Sequence, residues 1–198
     1  MTSSVLSRVE QPLADYFRER LHEEGDKQRR PPQEDTLWYM GDMLARFGDS
    51  EQVFSYDDGR LDLRPLALLY SDACESRDPR ARCLLMRQLG DLALFIGALF
   101  PENYRRRGLY KDYFVGMGGG AYSYLSEHAR HNRHVYSELA STFAAMLELV
   151  ARACSRHTRF DAADVLRLYQ RWQQSRDPQA GRQLQAMGVA LSASDIVH

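Results

Sequence analysis

Lysine is nearly missing from this chain of 198 residues: Lys27 and Lys111 are the only two among 26 basic side chains, so arginine carries the positive charge. That bias reads as codon composition before it reads as chemistry. A charge excess of either sign is also missing, since 27 acidic groups leave a net charge of −1. This removes the global field that non-specific binders of nucleic acid or membrane surfaces carry. Cysteine is sparse: Cys74, Cys83 and Cys154 are odd in number, widely spaced and without a CxxC pair. Buried free thiols in a reducing compartment are therefore expected. The longest strongly apolar run, Leu92 to Phe100, is about half of the roughly 20 residues that a bilayer crossing needs. The opening MTSSVLSRVEQPLADYF has no basic stretch followed by an apolar one, so no secretory signal is expected and the cytoplasm is the predicted location. Repeats and low-complexity segments are missing too.

What is present is helical periodicity. Leu13, Tyr16, Phe17 and Leu21 recur at helical spacing, and Pro12 suits a first helical position, so a helix is predicted from there with a separate turn before it. Leu37, Met40, Leu44 and Phe47 predict a second helix over about 34–47, stopped by Gly48. Val53, Phe54 and Tyr56 ahead of Asp57-Asp58-Gly59 are the one strand-like feature. Pro65 opens a third helix through Cys74, and Asp78-Pro79 a fourth, since aspartate caps free N–H groups and proline has none to leave unsatisfied. Leu85, Leu89, Leu92, Ile96 and Leu99 make that fourth helix a packed seam ending at Pro101, its second half apolar on every face. Asp112 starts a helix through about Ala129. Val135, Tyr136, Leu139, Phe143, Met146, Leu147 and Val150 give the cleanest amphipathic stripe, predicted as one helix over 134–155. Asp161 with Asp164, and Asp177-Pro178, open two more, and a tail begins at about 192. The fold class is all-α: a single-domain irregular or orthogonal bundle of about seven or eight helices, with 79–100, 112–130 and 134–155 at its centre.

The stretches LGDLALFIGALFP, Leu89 to Pro101, and DYFVGMGGGAY, Asp112 to Tyr122, resemble the two landmarks of a set of uncharacterised bacterial helical proteins. The resemblance spans about the middle half of the chain. It implies a bacterial origin and a helical fold, and it brings no catalytic residue with it.

Three constellations carry chemistry. Gly116, Gly118, Gly119 and Gly120 fall inside a helical pattern at about 1 kcal/mol each relative to alanine, so something has to offset roughly 4 kcal/mol. Phosphate-binding glycine loops follow a strand and carry GKS or GKT, which this segment lacks. Close packing is the favoured reading: Gly116 and Gly120 share a face, as Gly90, Ala93 and Gly97 do on the preceding helix, which would let two backbones approach. His128, His131 and His134 are three apart and fan over about 120° on a helix, too wide for all three to meet one ion. His128 and His131, with Glu127 and Glu138 near, are the weak metal candidates, and no metal or other cofactor is expected. Arg105, Arg106, Arg107 and Lys111 interleave with Tyr104, Tyr110 and Tyr113. Guanidinium groups grip phosphates and carboxylates bidentately and tyrosines offer stacking faces, so Arg105, Arg106, Arg107, Tyr110, Tyr113 and Tyr122 form the candidate ligand patch. The bland alternative is a solvated loop pinned by its tyrosines. Arg87 and Asp91, one turn apart, are read as a structural ion pair.

Nucleophilic catalysis has no support in the sequence: there is no GxSxG, no HExxH and no cysteine beside a histidine. The leading expectation is a non-enzymatic interaction or regulatory module whose partner is another protein or a second copy. Nucleic acid and membrane are not its expected partners. The alternative is a binder of a small anionic ligand, or an enzyme, that uses the Tyr/Arg/Gly segment 104–124. A closed pocket lined by Tyr110, Tyr113, Tyr122 and Arg105 would favour the alternative, and an exposed apolar face the module.

Overall fold

The computed structural model describes residues 3–49, 56–57, 60–61, 64–99, 111–154 and 162–178, with positions 180, 181, 184 and 189 beyond them. The architecture is all-α, with eight helices among the described residues: α1 (Ser3–Gly25), α2 (Glu34–Asp49), α3 (Arg64–Glu75), α4 (Pro79–Leu99), α5 (Lys111–His128), α6 (Arg133–Ser141), α7 (Phe143–Cys154) and α8 (Ala162–Ser175). The strand-like segment is a minimal antiparallel pair in which Tyr56 faces Leu61 and Asp57 faces Arg60. No described helix is long and apolar enough to cross a membrane. The chain gathers into two compact units, residues 1–53 with 152–198, and residues 54–151.

In the first unit α1 packs along α2, and α2 meets α8. Of the predicted stripes, Leu13, Phe17 and Leu21 on α1 and Leu37, Met40 and Leu44 on α2 are buried, while Tyr16 and Phe47 are half-buried; on α8 Val165, Tyr169 and Trp172 are buried and Leu168 is half-buried. The α1–α2 crossing is close because Gly41 has no side chain; a Cβ there would run into the Arg18 side chain and lie 3.3 Å from its backbone nitrogen. Arg18 ties the pair together, bonding Asp15 at 2.8 Å, pairing with Asp42, and laying its guanidinium 4.1 Å from the Trp38 ring centre. Arg20 donates to the Ala153 carbonyl at 3.1 Å, a cation at the negative end of α7. At the end of α8, Arg176 takes the left-handed conformation, φ 51°, its N–H on the Trp172 carbonyl at 2.7 Å. Gly181 N–H meets the Asp177 carbonyl at 3.0 Å, so a helical turn follows Asp177-Pro178 as expected.

The start of α1 differs from expectation. The helix begins at Ser3 and runs through Pro12 without a separate turn. Proline removes one N–H from the ladder and leaves the remaining rungs in place.

In the second unit α3 packs on α4, α4 on α5, and α5 on α6. The Asp78-Pro79 start behaves as the sequence predicts: Asp78 Oδ1 accepts the Arg80 N–H at 3.0 Å and the Asp78 carbonyl takes the Arg82 N–H at 2.9 Å. Leu89 and Leu92 to Ile96 are buried, so α4 is the centre of this unit's core. One predicted helix is two. The stripe from Val135 to Val150 is buried as expected, but Thr142 breaks the backbone at φ −122°, ψ 20°. Its N–H and its hydroxyl both donate to the Glu138 carbonyl, at 3.0 and 2.6 Å, which closes α6. Its own carbonyl then starts α7 by accepting from Ala145 at 2.8 Å and Met146 at 3.0 Å.

Candidate functional site

The glycines of α5 do not break it: all four lie inside one continuous helix. Their roles divide differently from the expected pairing. A Cβ on Gly90 would stand 2.8 Å from Tyr122 Cε1, and one on Gly97 would stand 2.9 Å from both Phe114 Cγ and Leu147 Cδ2. Those two glycines of α4 therefore admit neighbouring side chains, and Tyr122 and Phe114 both come from α5. Gly118 does the same for the Phe143 ring, whose atoms a Cβ would overlap. Gly116 and Gly120 face open space with nothing within 4 Å, and both are exposed. The expected glycine-on-glycine crossing of Gly90 and Gly97 with Gly116 and Gly120 is thus corrected. The helices approach by seating aromatic rings over glycines, and the α5 glycine that needs to be small is Gly118.

Tyr122 is the most buried polar group of this arrangement. Its hydroxyl donates to Asp91 Oδ1 at 2.8 Å, and its ring stacks on Tyr136 at 5.9 Å and 16°. Asp91, 5% exposed, also lies 3.7 Å from Arg87 Nε, the predicted one-turn ion pair. A buried carboxylate is costly unless it is hydrogen-bonded and paired, and this one is both. Gly90 is what lets the tyrosine reach it.

The candidate ligand patch is only partly within the described residues: Arg105, Arg106, Arg107 and Tyr110 lie outside them. Tyr113 and Tyr122 are nine residues apart on α5, which is two and a half turns and so roughly opposite faces. Tyr122 is fully buried. Tyr113 is half-buried with its ring edge-on to Phe114 at 5.5 Å, and burial pushes its phenol above the usual tyrosine range. The two tyrosines therefore do not line one pocket. Lys111, at the start of α5, is ion-paired with Glu148 of α7 at 2.5 Å.

His128, His131 and His134 are all exposed around the α5–α6 junction. His128 stacks on Tyr124 at 4.1 Å, and its Nδ1–H donates to the Tyr124 carbonyl at 2.9 Å. Asn132 turns the chain in the left-handed conformation, φ 59°, which asparagine tolerates better than most residues. α5 ends at His128, so His131 lies in the connection between the helices and shares no helical face with it. Among the described residues no group of three His, Cys, Asp or Glu side chains is arranged to hold a metal ion. Of the cysteines, Cys154 is buried, Cys83 half-buried and Cys74 exposed, so the expectation of burial fails at Cys74.

One surface escapes the sequence reading. The exposed large apolar side chains among the described residues are Trp38, Leu68, Tyr70 and Leu84, at 46, 58, 50 and 56%. Trp38 has its ring against Arg18. The other three belong to the α3–α4 hairpin. Tyr70 is held above the usual tyrosine range by its hydrogen bond with Cys74, one turn on. The available signal is the run Leu66 to Tyr70, five apolar residues in a row on a helix, more than one face can bury. Comparison with protein-family models, curated proteins and solved structures gives no match to this chain.

Proposed function

We propose that this chain is a non-enzymatic interaction module of a bacterial cytoplasm and that the α3–α4 hairpin is its contact surface. The observation that carries the reading is that Leu68, Tyr70 and Leu84, three of the four large apolar side chains exposed among the described residues, all stand on that one hairpin, with Leu68 and Tyr70 on different sides of α3. Single apolar side chains scattered over a surface are ordinary, whereas a group of them marks a place where a partner removes water. The described polar candidates support it from the other side. Tyr122 and Asp91 hold each other in the core, and Lys111 is paired with Glu148, so these groups stabilise the fold where they stand.

The test is a double replacement, Leu68→Gln with Leu84→Gln. Both side chains are largely in water, so thermal stability should hold within about 0.5 kcal/mol. Partners captured from a lysate by the unmodified protein should be lost. An identical partner list for the two proteins would sink the hairpin as a contact surface.

A further inference from the structure

We infer that Trp38 and the carboxylates beside it are a docking site for a basic segment of a partner protein, on the first unit and independent of the hairpin surface. Tryptophan is highly buried on average and is among the residues most enriched where partners bind tightly. Trp38 on α2 is 46% exposed. The Arg18 guanidinium covers one face of its ring at 4.1 Å, so the exposure belongs to the other face and the edges. That free face is where a second cation can stack.

The exposed charge of both helices is negative. Between 34 and 47 the exposed positions of α2 are Glu34, Asp35, Trp38 and Asp42, and between 13 and 25 those of α1 are Asp15, Glu19 and Glu23. All of them besides the tryptophan are carboxylates. Spacing by four sets Glu34, Trp38 and Asp42 in one stripe. Asp15 stands on the same side of the pair, since Arg18 bonds it at 2.8 Å and pairs with Asp42 as well. Arg18 is thus shared by two carboxylates, which leaves a negative excess beside the ring it covers. Arg46, half-buried one turn past Asp42, is the other cation near the stripe, and exposed Arg29 and Arg30 lie beyond its far end, in the connection before Glu34.

The occupant follows from this charge and from the length of the stripe. Glu34 and Asp42 stand eight residues apart, about 12 Å along the helix. A single small cation reaches only part of that span, whereas about four residues of extended chain cover it at roughly 3.3 Å each. A segment with several arginines or lysines places one cation on the free face of Trp38 and others against Glu34, Asp42 and Asp15. An acidic partner would set like charge against these carboxylates, and a purely apolar one would strip them of water without a cation in return.

Titrating a fluorescein-labelled, terminally blocked hexa-arginine peptide with the full chain at low salt tests the site, with binding read by anisotropy. Saturable binding is expected. Trp38→Leu should weaken it on the order of tenfold through the lost cation–π contact, and Trp38→Phe, which keeps a ring, by less. Glu19→Gln with Glu34→Gln should weaken it to a similar extent and flatten its dependence on salt. Those two side chains are exposed, so this variant keeps its fold whatever the tryptophan variants do. Leu68→Gln with Leu84→Gln should leave peptide binding unchanged, which separates this site from the hairpin surface. Absence of saturable binding overturns the inference. So does a folded Trp38→Leu variant that binds as tightly as the unmodified chain, since general acidity would then suffice, or a loss of binding on replacing Leu68 and Leu84. Argininamide competing as strongly as the peptide at equal molar concentration would make this a small-cation site and overturn the basic segment.

Discussion

Replacing Gly116 and Gly120 by alanine should stabilise this protein. Both residues lie in the interior of α5, where glycine costs about 1 kcal/mol relative to alanine, chiefly because its backbone has more freedom to lose on folding. A Cβ at either would meet nothing within 4 Å, and neither has a positive φ, so no clash or strain offsets the gain. Each replacement should add about 1 kcal/mol. The two positions face solvent without a shared neighbour, so the double variant should approach about 2 kcal/mol. A transition that unfolds the chain as a whole moves by about 2–4 °C per kcal/mol at this size, so the double variant should melt roughly 4–8 °C higher. Gly118 is the internal control. Its Cβ would overlap the Phe143 ring, which is itself buried, so Gly118→Ala should cost about 1–3 kcal/mol. Thermal melts followed by circular dichroism, with urea titrations to check the slope, separate the cases. Loss of stability on replacing Gly116 or Gly120, or indifference at Gly118, would refute the account of how α5 carries four glycines.

Three further outcomes are expected. Tyr122→Phe removes the hydroxyl that donates to Asp91 in the core and should lower the unfolding free energy by about 1–3 kcal/mol, read by urea titration; a change under about 0.5 kcal/mol would mean that this bond contributes little. Thr36 has its hydroxyl fully buried without a hydrogen-bond partner, so Thr36→Val, of nearly the same shape, should raise the melting temperature, and a lower one would show that the hydroxyl is satisfied in solution. The Glu24 carboxyl sits below its ordinary value of 4.5, first through its hydrogen bond from Lys27 at 2.6 Å, which burial opposes, and with lesser help from the charges of Lys27, Arg152 and Arg20. A lowered native value means that the unfolded chain takes up this proton first, so the contribution is complete above pH 4.5 and disappears as the pH falls through the native value. Lys27→Ala should move the Glu24 titration, followed by NMR, back toward 4.5; an unmoved titration would remove the Lys27 bond as its cause.

The helical class and most element starts were legible because they are local. Asp78-Pro79 needs only its own side chain and the missing proline N–H to begin α4, and the bond from Arg80 to Asp78 is the one the sequence implies. The break at Thr142 was not legible for a related reason. Leu139 and Phe143 are four apart and both buried, so the apolar stripe passes through the break with its period intact. Periodicity reports which side faces inward and is blind to a single residue that leaves the helix. Pro12 misled in the opposite direction, since a residue that favours helix starts also survives inside a helix that has enough other rungs.

The glycines and the hairpin show where spacing stops being informative. Four-residue spacing places Gly116 and Gly120 on one face correctly, yet it cannot name what stands opposite that face, and here nothing does. Gly118 has to be small because Phe143 arrives from α7, a contact between residues 25 positions apart, and Tyr122 looked like a ligand residue by type while its position makes it core. The same logic points outward at α3. Its apolar run covers more of the helix than its packing on α4 can bury, and Leu68 is left 58% exposed on the stripe opposite Leu66 and Ala73.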